Sequence, residues 1–176
     1  MPALTLLAKL HAQQRRVLAA ADAFKAFAAA PHPGRIEPLA ALRWRFTREM
    51  LLHFSSLETE LLQPLAADRR DDAAARAVRS SRDLEQVYRH FQRHAARWHG
   101  LPPVEAWRDY AQAIAVLMRL IAVRIAAQER DIYALLPAQP GGGRRVLAFA
   151  PLNYAAEAWK VRKLIYNDAE AGAAVR

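Results

Sequence analysis

Apolar residues recur at intervals of three and four along most of the chain, a spacing that predicts α-helices. The clearest stretch runs from Ala41 to Leu65. Its seam of apolar positions consists of Leu42, Phe46, Met50, His53, Leu57, Leu61 and Pro64. Most charged residues of the stretch fall off this seam, so the seam is the face that the helix would bury. His53 lies in the middle of it, and a buried polar ring needs a partner.

A second stretch, ending before Pro137, repeats this arrangement. Its seam consists of Tyr110, Ile114, Leu117, Ile121, Arg124, Gln128, Ile132 and Leu135. The equivalent residues of the two stretches are His53 and Arg124, Leu57 and Gln128, and Glu58 and Glu129. The two helices therefore form a weak internal repeat.

Two further helices complete the pattern. One is predicted from Leu4 to Ala29, and its inward positions are Leu4, Leu7, His11, Gln14, Leu18, Ala21 and Phe24. Another is predicted from about Asp71 to Trp98, and Pro- and Gly-containing breaks at 30–35 and 99–103 separate neighbouring helices. Four long helices with short connectors predict an all-α, antiparallel up-down-up-down four-helix bundle over residues 1–137.

Residues 138–176 are predicted to form a Gly/Pro linker and a basic C-terminal helix. The helix would span about 151–167, with Leu152, Ala155, Trp159, Val161 and Tyr166 loosely on one side. It can dock on its own bundle, on a partner or on a membrane surface. Because four helices already bury each other's seams, the segment beyond Gly143 is expected to be separable from the bundle.

Composition narrows the range of possible functions. The chain has no cysteine, which excludes disulfides and thiolate metal sites, and it shows no uninterrupted apolar run of transmembrane length. We therefore expect a cytoplasmic protein without a transmembrane segment. No phosphate-binding loop, nucleophile elbow or paired-carboxylate motif is present, so an enzyme is not expected.

The net charge of +9 comes almost entirely from arginine, with 22 Arg against 4 Lys. A basic surface of this kind can attract nucleic acid. The arginine-rich segment 68–97 also carries five acids, however, and it shows no basic groove interleaved with aromatic residues, which disfavours nucleic acid. The favoured partners are therefore another protein, a small ligand or a second copy of the chain.

The seam histidines, the His90-x-x-x-His94 pair and the "HF…LE…LL.P" ending of the second helix together resemble the hemerythrin-like (HHE) cation-binding domains. The resemblance covers roughly residues 4–137. It implies a four-helix bundle whose pocket holds two irons bridged by carboxylates. In that family the ligands are a histidine on the first helix, His-x-x-x-Glu on the second and fourth, and one or two histidines on the third.

When the family's ligands are carried over by position, the resemblance implies that the candidate metal ligands are His11, His53 and either His90 or His94. The remaining pocket positions depart from the family pattern. Leu57 and Gln128 replace the bridging glutamates and Arg124 replaces a histidine, while Glu58 and Glu129 come one residue later, about 100° away around each helix. A guanidinium beside a cation site is unfavourable, so Arg124 argues against a di-iron centre.

Counting the rise along each helix predicts that His11, His53 and Arg124 share one layer. Ser80, Asp83 and Leu84 would lie nearer to this layer than His90 and His94. If Arg124 is buried it must be paired, and Gln128, Asp83 or a bound anion are the expected partners. The alternative for His11 and His53 is a buried histidine satisfied by hydrogen bonds with Gln14, Gln128 or Asp83.

Three hypotheses follow. The first is a binding or regulatory module with a degenerate metal pocket and no cofactor. The second is a working iron or zinc protein, with one or two metal ions, in sensing or storage. The third is a basic scaffold that binds nucleic acid or an acidic partner.

Overall fold

The computed structural model describes residues 3–68, 70–136 and 150–173, with side chains placed for 4–68, 70–136 and 150–166. Its helices are α1 (Ala3–Ala29), α2 (Ile36–Leu57), a π-helical turn (Glu58–Leu62), α3 (Gln63–Ala66), α4 (Asp71–Arg97), α5 (Trp107–Asp131) and α6 (Tyr154–Ala173). Short 3₁₀ turns, Val104–Ala106 and Tyr133–Leu135, flank α5. Over the described ranges no strand is present, which confirms the predicted all-α class.

Interhelical contacts give the directions of four of these helices. α2 runs antiparallel to α1, because Phe24 contacts Phe46 at one end and Lys9 pairs with Glu60 at the other. α5 runs antiparallel to α1 by the same reasoning, since Phe27 meets Trp107 and Gln14 meets Tyr133. The buried apolar residues of α1, α2, α4, α5 and α6 form one hydrophobic cluster.

The predicted C-terminal helix exists as α6, and it packs on α2 as extensively as α1 does. Phe54 contacts Tyr154 and Trp44 contacts Tyr166, so α6 runs antiparallel to α2. On its other side, Tyr88 of α4 donates a hydrogen bond to Glu157 at 2.9 Å. α6 therefore lies in the groove between α2 and α4. The predicted linker at 138–149 falls outside the described residues.

At one end of the molecule, hydrogen bonds from α2 and α5 tie down the two Pro- and Gly-containing breaks. Arg43 of α2 donates to the carbonyl oxygens of Trp98 and Gly100, at 2.6 and 2.7 Å, and so caps the C-terminal end of α4. The indole of Trp107 donates to the carbonyl oxygen of Ala30 at 2.8 Å. Gly100 adopts a φ of +68°, which suits glycine at this helix end.

Several inward positions were predicted wrongly. Leu4 is 82% exposed, because the buried side of α1 runs through Leu6, Leu10 and Val17 instead. On α6, Tyr154, Val161 and Ile165 are buried, whereas Trp159 is 64% exposed. Both helices are rich in alanine, which fits either face and leaves the orientation ambiguous.

The segment Val104–Leu135, which contains α5, is long and apolar enough to cross a membrane, with a mean hydropathy of 1.6 in its most apolar window. About a third of that window is buried against the other helices. Core helices of soluble proteins can pass the same test. The expected absence of a transmembrane segment stays a prediction.

Candidate functional site

The site predicted around His53 is a buried polar layer across the middle of the helices. It consists of Gln13, Gln14, His53, Ser56, Glu58, Ser80, Ser81, Arg124 and Gln128. Gln13 donates to Ser56 at 3.0 Å, and Gln14 donates to the hydroxyl of Tyr133 at 2.9 Å. α1, α2, α4 and α5 all contribute polar groups to this layer.

His53 is fully buried on α2, and neither ring nitrogen makes a hydrogen bond of regular geometry. Burial lowers the pKa of His53 to about 4, and the nearby Gln128 amide partly opposes this shift. The ring is therefore neutral at pH 7. The Gln128 amide atoms are also buried without a regular hydrogen bond, so the two side chains face each other with hydrogen-bonding capacity unused.

Glu58 is buried, contrary to the expectation that it turns away from the core. It begins the π-helical turn, and Ser81 of α4 donates to its Oε1 at 2.9 Å while Oε2 has no partner. Burial raises the pKa of Glu58, and the hydrogen bond from Ser81 partly opposes the shift. Leu57 is buried beside it, so adjacent residues of the chain both face inward.

Arg124 occupies the layer on α5 with its side chain 17% exposed. Its guanidinium donates to Asp83 at 2.6 Å and to Ser80 at 2.9 Å, while its Nε is buried without a partner. The predicted pairing with Asp83 is confirmed, as is the prediction that Ser80 and Asp83 lie at this level. The positive charge is thus held in place by residues of α4.

His11 lies at the edge of the layer, with its side chain 43% exposed. Its Nε2 is 3.9 Å from Glu129 of α5, and its ring packs against Tyr133 at 5.3 Å between centroids. The prediction that His11 sits at the centre of a buried seam is wrong. Leu10 takes the inward direction, which places the next residue about 100° further around the helix.

His90 and His94 lie away from the layer, as the helix levels predicted. His90 is exposed and its Nδ1 is 3.0 Å from Arg93. His94 stacks on Tyr110 near the start of α5, and its pKa is lowered to about 4 by burial and by the charges of Arg43 and Arg97. It lines a surface cleft of about 410 Å³ between α4 and α5.

The donor set does not fit the di-iron centre that the resemblance implies. Within the described part of the chain, no three His, Asp or Glu side chains are grouped closely enough to hold a metal ion. The polar group placed beside His53 is the Gln128 amide, and the rest of the layer as defined consists of amides, hydroxyls, Arg124 and one carboxylate, Glu58. Such groups can bind ordered water or a small polar ligand.

Sequence reasoning missed Gln13 and Ser81 altogether. Gln13 is not among the predicted inward positions of α1, because the buried face of that helix is centred about one residue earlier, on Leu6, Leu10, Gln13 and Val17. Comparison with protein-family models, with curated proteins and with solved structures found no match to this chain.

Proposed function

We propose that this chain is a hemerythrin-like four-helix bundle, with α1, α2, α4 and α5 in up-down-up-down order, whose metal pocket has become a polar core. It acts as a binding or regulatory module for an unidentified protein or small ligand. The antiparallel contacts of α1 with α2 and α5 support the bundle order. The residue pattern of the second and fourth helices supports the family.

The observation that carries the proposal is the placement of Arg124. A guanidinium bonded to Asp83 and Ser80 stands where the resemblance expects a histidine ligand. A permanent positive charge there raises the free energy of a bound cation. Gln128 and Leu57, in place of the bridging carboxylates, remove the negative charge that would offset it.

A working metal site centred on His53 is the second candidate. A neutral imidazole is the form that binds metals, and neither ring nitrogen of His53 makes a hydrogen bond of regular geometry. Iron or zinc would then be held by His53 with Glu58 and water. The same experiment separates the two candidates.

The test is elemental analysis of the protein purified from iron- and zinc-supplemented cells. We expect well under one metal ion per chain in the wild type. The triple variant Leu57→Glu, Arg124→His and Gln128→Glu should gain iron, because it restores the family's ligand pattern. Adding His53→Ala to the triple variant is the control and should abolish that gain.

Two outcomes would contradict the proposal. Near-stoichiometric metal in the wild type, lost in His53→Ala, would establish a working metal site. A folded triple variant that binds no iron would show that the helices do not hold these positions in the family's geometry. Circular dichroism establishes whether each variant is folded.

A further inference from the structure

A second surface, on the outside of α2 and α6, combines aromatic rings with cations. We call it the cationic aromatic face and define it by Trp44, Arg45, Arg48, Trp159, Arg162, Lys163 and Tyr166. Its two halves are separated by more than a hundred residues in the sequence. The docking of α6 on α2 brings them together.

Arg162 is the centre of this face. Its guanidinium carbon lies 5.9 Å from the ring centroid of Trp44, 5.6 Å from that of Trp159 and 5.9 Å from that of Tyr166. Trp44 and Tyr166 also contact each other edge to face at 6.4 Å. Cation–π attraction to three rings fixes the position of the guanidinium on the surface.

The antiparallel register of α2 and α6 places further cations around these rings. Because Trp44 meets Tyr166 and Phe54 meets Tyr154, Arg48 falls near the level of Arg162, and Arg45 lies within about two residues of the level of Lys163. Arg45, Arg48 and Lys163 are all exposed. Trp159 is 64% exposed, so much of its indole is open to solvent.

We propose that the cationic aromatic face binds single-stranded nucleic acid. Bases stack on the indole of Trp159 and on the plane of Arg162, while Arg45 and Lys163 attract the phosphates. Trp159 and Tyr166 are about 10 Å apart along α6. Stacking explains why exposed rings occur among the cations. This inference is independent of the proposed function of the polar layer.

A lipid surface is a weaker fit to the same residues. A helix that binds membranes lays its apolar side into the lipid. The apolar side of α6, made of Tyr154, Val161 and Ile165, is already buried against the rest of the protein. The part of α6 that stays exposed to a partner consists mostly of charged side chains and aromatic rings. Such a surface suits a single-stranded polyanion.

Fluorescence anisotropy of a labelled oligothymidine of roughly 20 nucleotides, longer than a typical single-strand site, tests the proposal with the full-length chain. Trp159→Ala should weaken binding by about 5- to 150-fold, the range that loss of one stacked base produces. Arg162→Lys keeps the charge but loses the planar stacking surface, so it should weaken binding without changing the salt dependence. Quenching of tryptophan fluorescence by the oligonucleotide should be largely lost in Trp159→Ala.

Paired charge variants separate a local site from general attraction. Arg45→Gln with Lys163→Gln removes two cations from the face, and it should reduce the slope of log affinity against log salt by about 1.4. Arg82→Gln with Arg119→Gln removes two exposed cations from α4 and α5 and is the matched control. The control should bind much more tightly than the face variant.

Three outcomes would overturn the proposal. The first is that the protein does not bind the oligonucleotide at low salt. The second is that the two charge variants lose affinity equally. The third is Trp159-dependent binding to anionic phosphatidylserine vesicles without binding to the oligonucleotide. The last result would assign the face to a membrane. Thermal unfolding followed by circular dichroism establishes that the variants are folded.

Discussion

His53 and Glu58 lie in one buried layer, and burial shifts the pKa of each side chain in the direction that favours its neutral form. For His53 the pKa falls to about 4, and for Glu58 it rises. The folded protein therefore keeps an uncharged histidine over a pH range in which the unfolded chain would protonate it. Stability should depend on pH through this difference.

Above pH 6.5, His53 is neutral in both the folded and the unfolded state and contributes nothing to the pH dependence. Between pH 6.5 and about 4 the unfolded state alone binds the proton, so the free energy of unfolding falls as pH falls, by about 3 kcal/mol in total. His53→Gln should remove about that much of the decline, as measured by urea unfolding at several pH values. Gln86→Ala, on the exposed side of α4, is the control and should keep the wild-type dependence of stability on pH. An unchanged pH dependence in His53→Gln would contradict the assigned pKa.

Sequence reasoning identified part of this layer. The helix levels predicted that Arg124, Ser80 and Asp83 lie together, because helical rise is regular and the connectors are short. They did not predict that Glu58 is buried. Its direction follows from a packing partner that periodicity along α2 does not identify.

At the scale of helices, α2 has two buried stripes rather than one. Beside the predicted seam, a second stripe continues through Thr47, Leu51, Phe54 and Glu58. It faces α6 and α4, as the contact between Phe54 and Tyr154 and the bond from Ser81 to Glu58 indicate. The sequence reading treated one seam as the whole buried face, so Glu58 was assigned to the outside.

The π-helical turn provides a test of how strictly the side chains along α2 must keep their directions around the helix axis. A π turn holds one residue more than the equivalent α-helical turn, so deleting the exposed Thr59 should convert it to α-helix and leave the flanking residues facing inward. We expect a loss of less than about 2 kcal/mol in stability.

Deleting the exposed Arg45 from the regular part of α2 is the matched control. This deletion rotates one part of the helix by about 100° relative to the other, so it should prevent cooperative folding. Thermal unfolding followed by circular dichroism measures both variants. Equal damage from the two deletions would contradict this account of the turn.

For the whole molecule, α6 is the element whose role the sequence indicated least. Periodicity and breaks predicted the positions of the other long helices along the chain, because helical spacing recurs in each and Pro or Gly marks several of their boundaries. The place of α6 depends on a groove between α2 and α4, which no local pattern describes. The expected independence of the segment beyond Gly143 stays a prediction, and the burial of Tyr154, Val161 and Ile165 argues against it.

Ending the chain after Gly143 should destabilise the protein strongly. The loss of Tyr154, Val161 and Ile165 from the core corresponds to about 5–9 kcal/mol, at about 1.5–3 kcal/mol for each buried side chain. This is a large part of the ~5–15 kcal/mol that stabilises a typical domain. Urea unfolding measures the loss, and an unchanged midpoint would show that the bundle is separable after all.

Point variants give the same test without truncation. Ile165→Ala should cost about 2–4 kcal/mol through the cavity it leaves. Lys163→Ala, on the exposed side of the same helix, should change stability by no more than about 0.5 kcal/mol.

The position of α6 also sets an order of events during synthesis. Leu57, at the end of α2, precedes Tyr154 by 97 residues. At ~5–20 residues per second, the ribosome needs roughly 5 to 20 s to add that length of chain. Throughout this interval the side of α2 that α6 will cover, with Leu51 and Phe54, has no native partner. The nascent protein therefore presents a defined apolar strip to chaperones until α6 emerges from the exit tunnel.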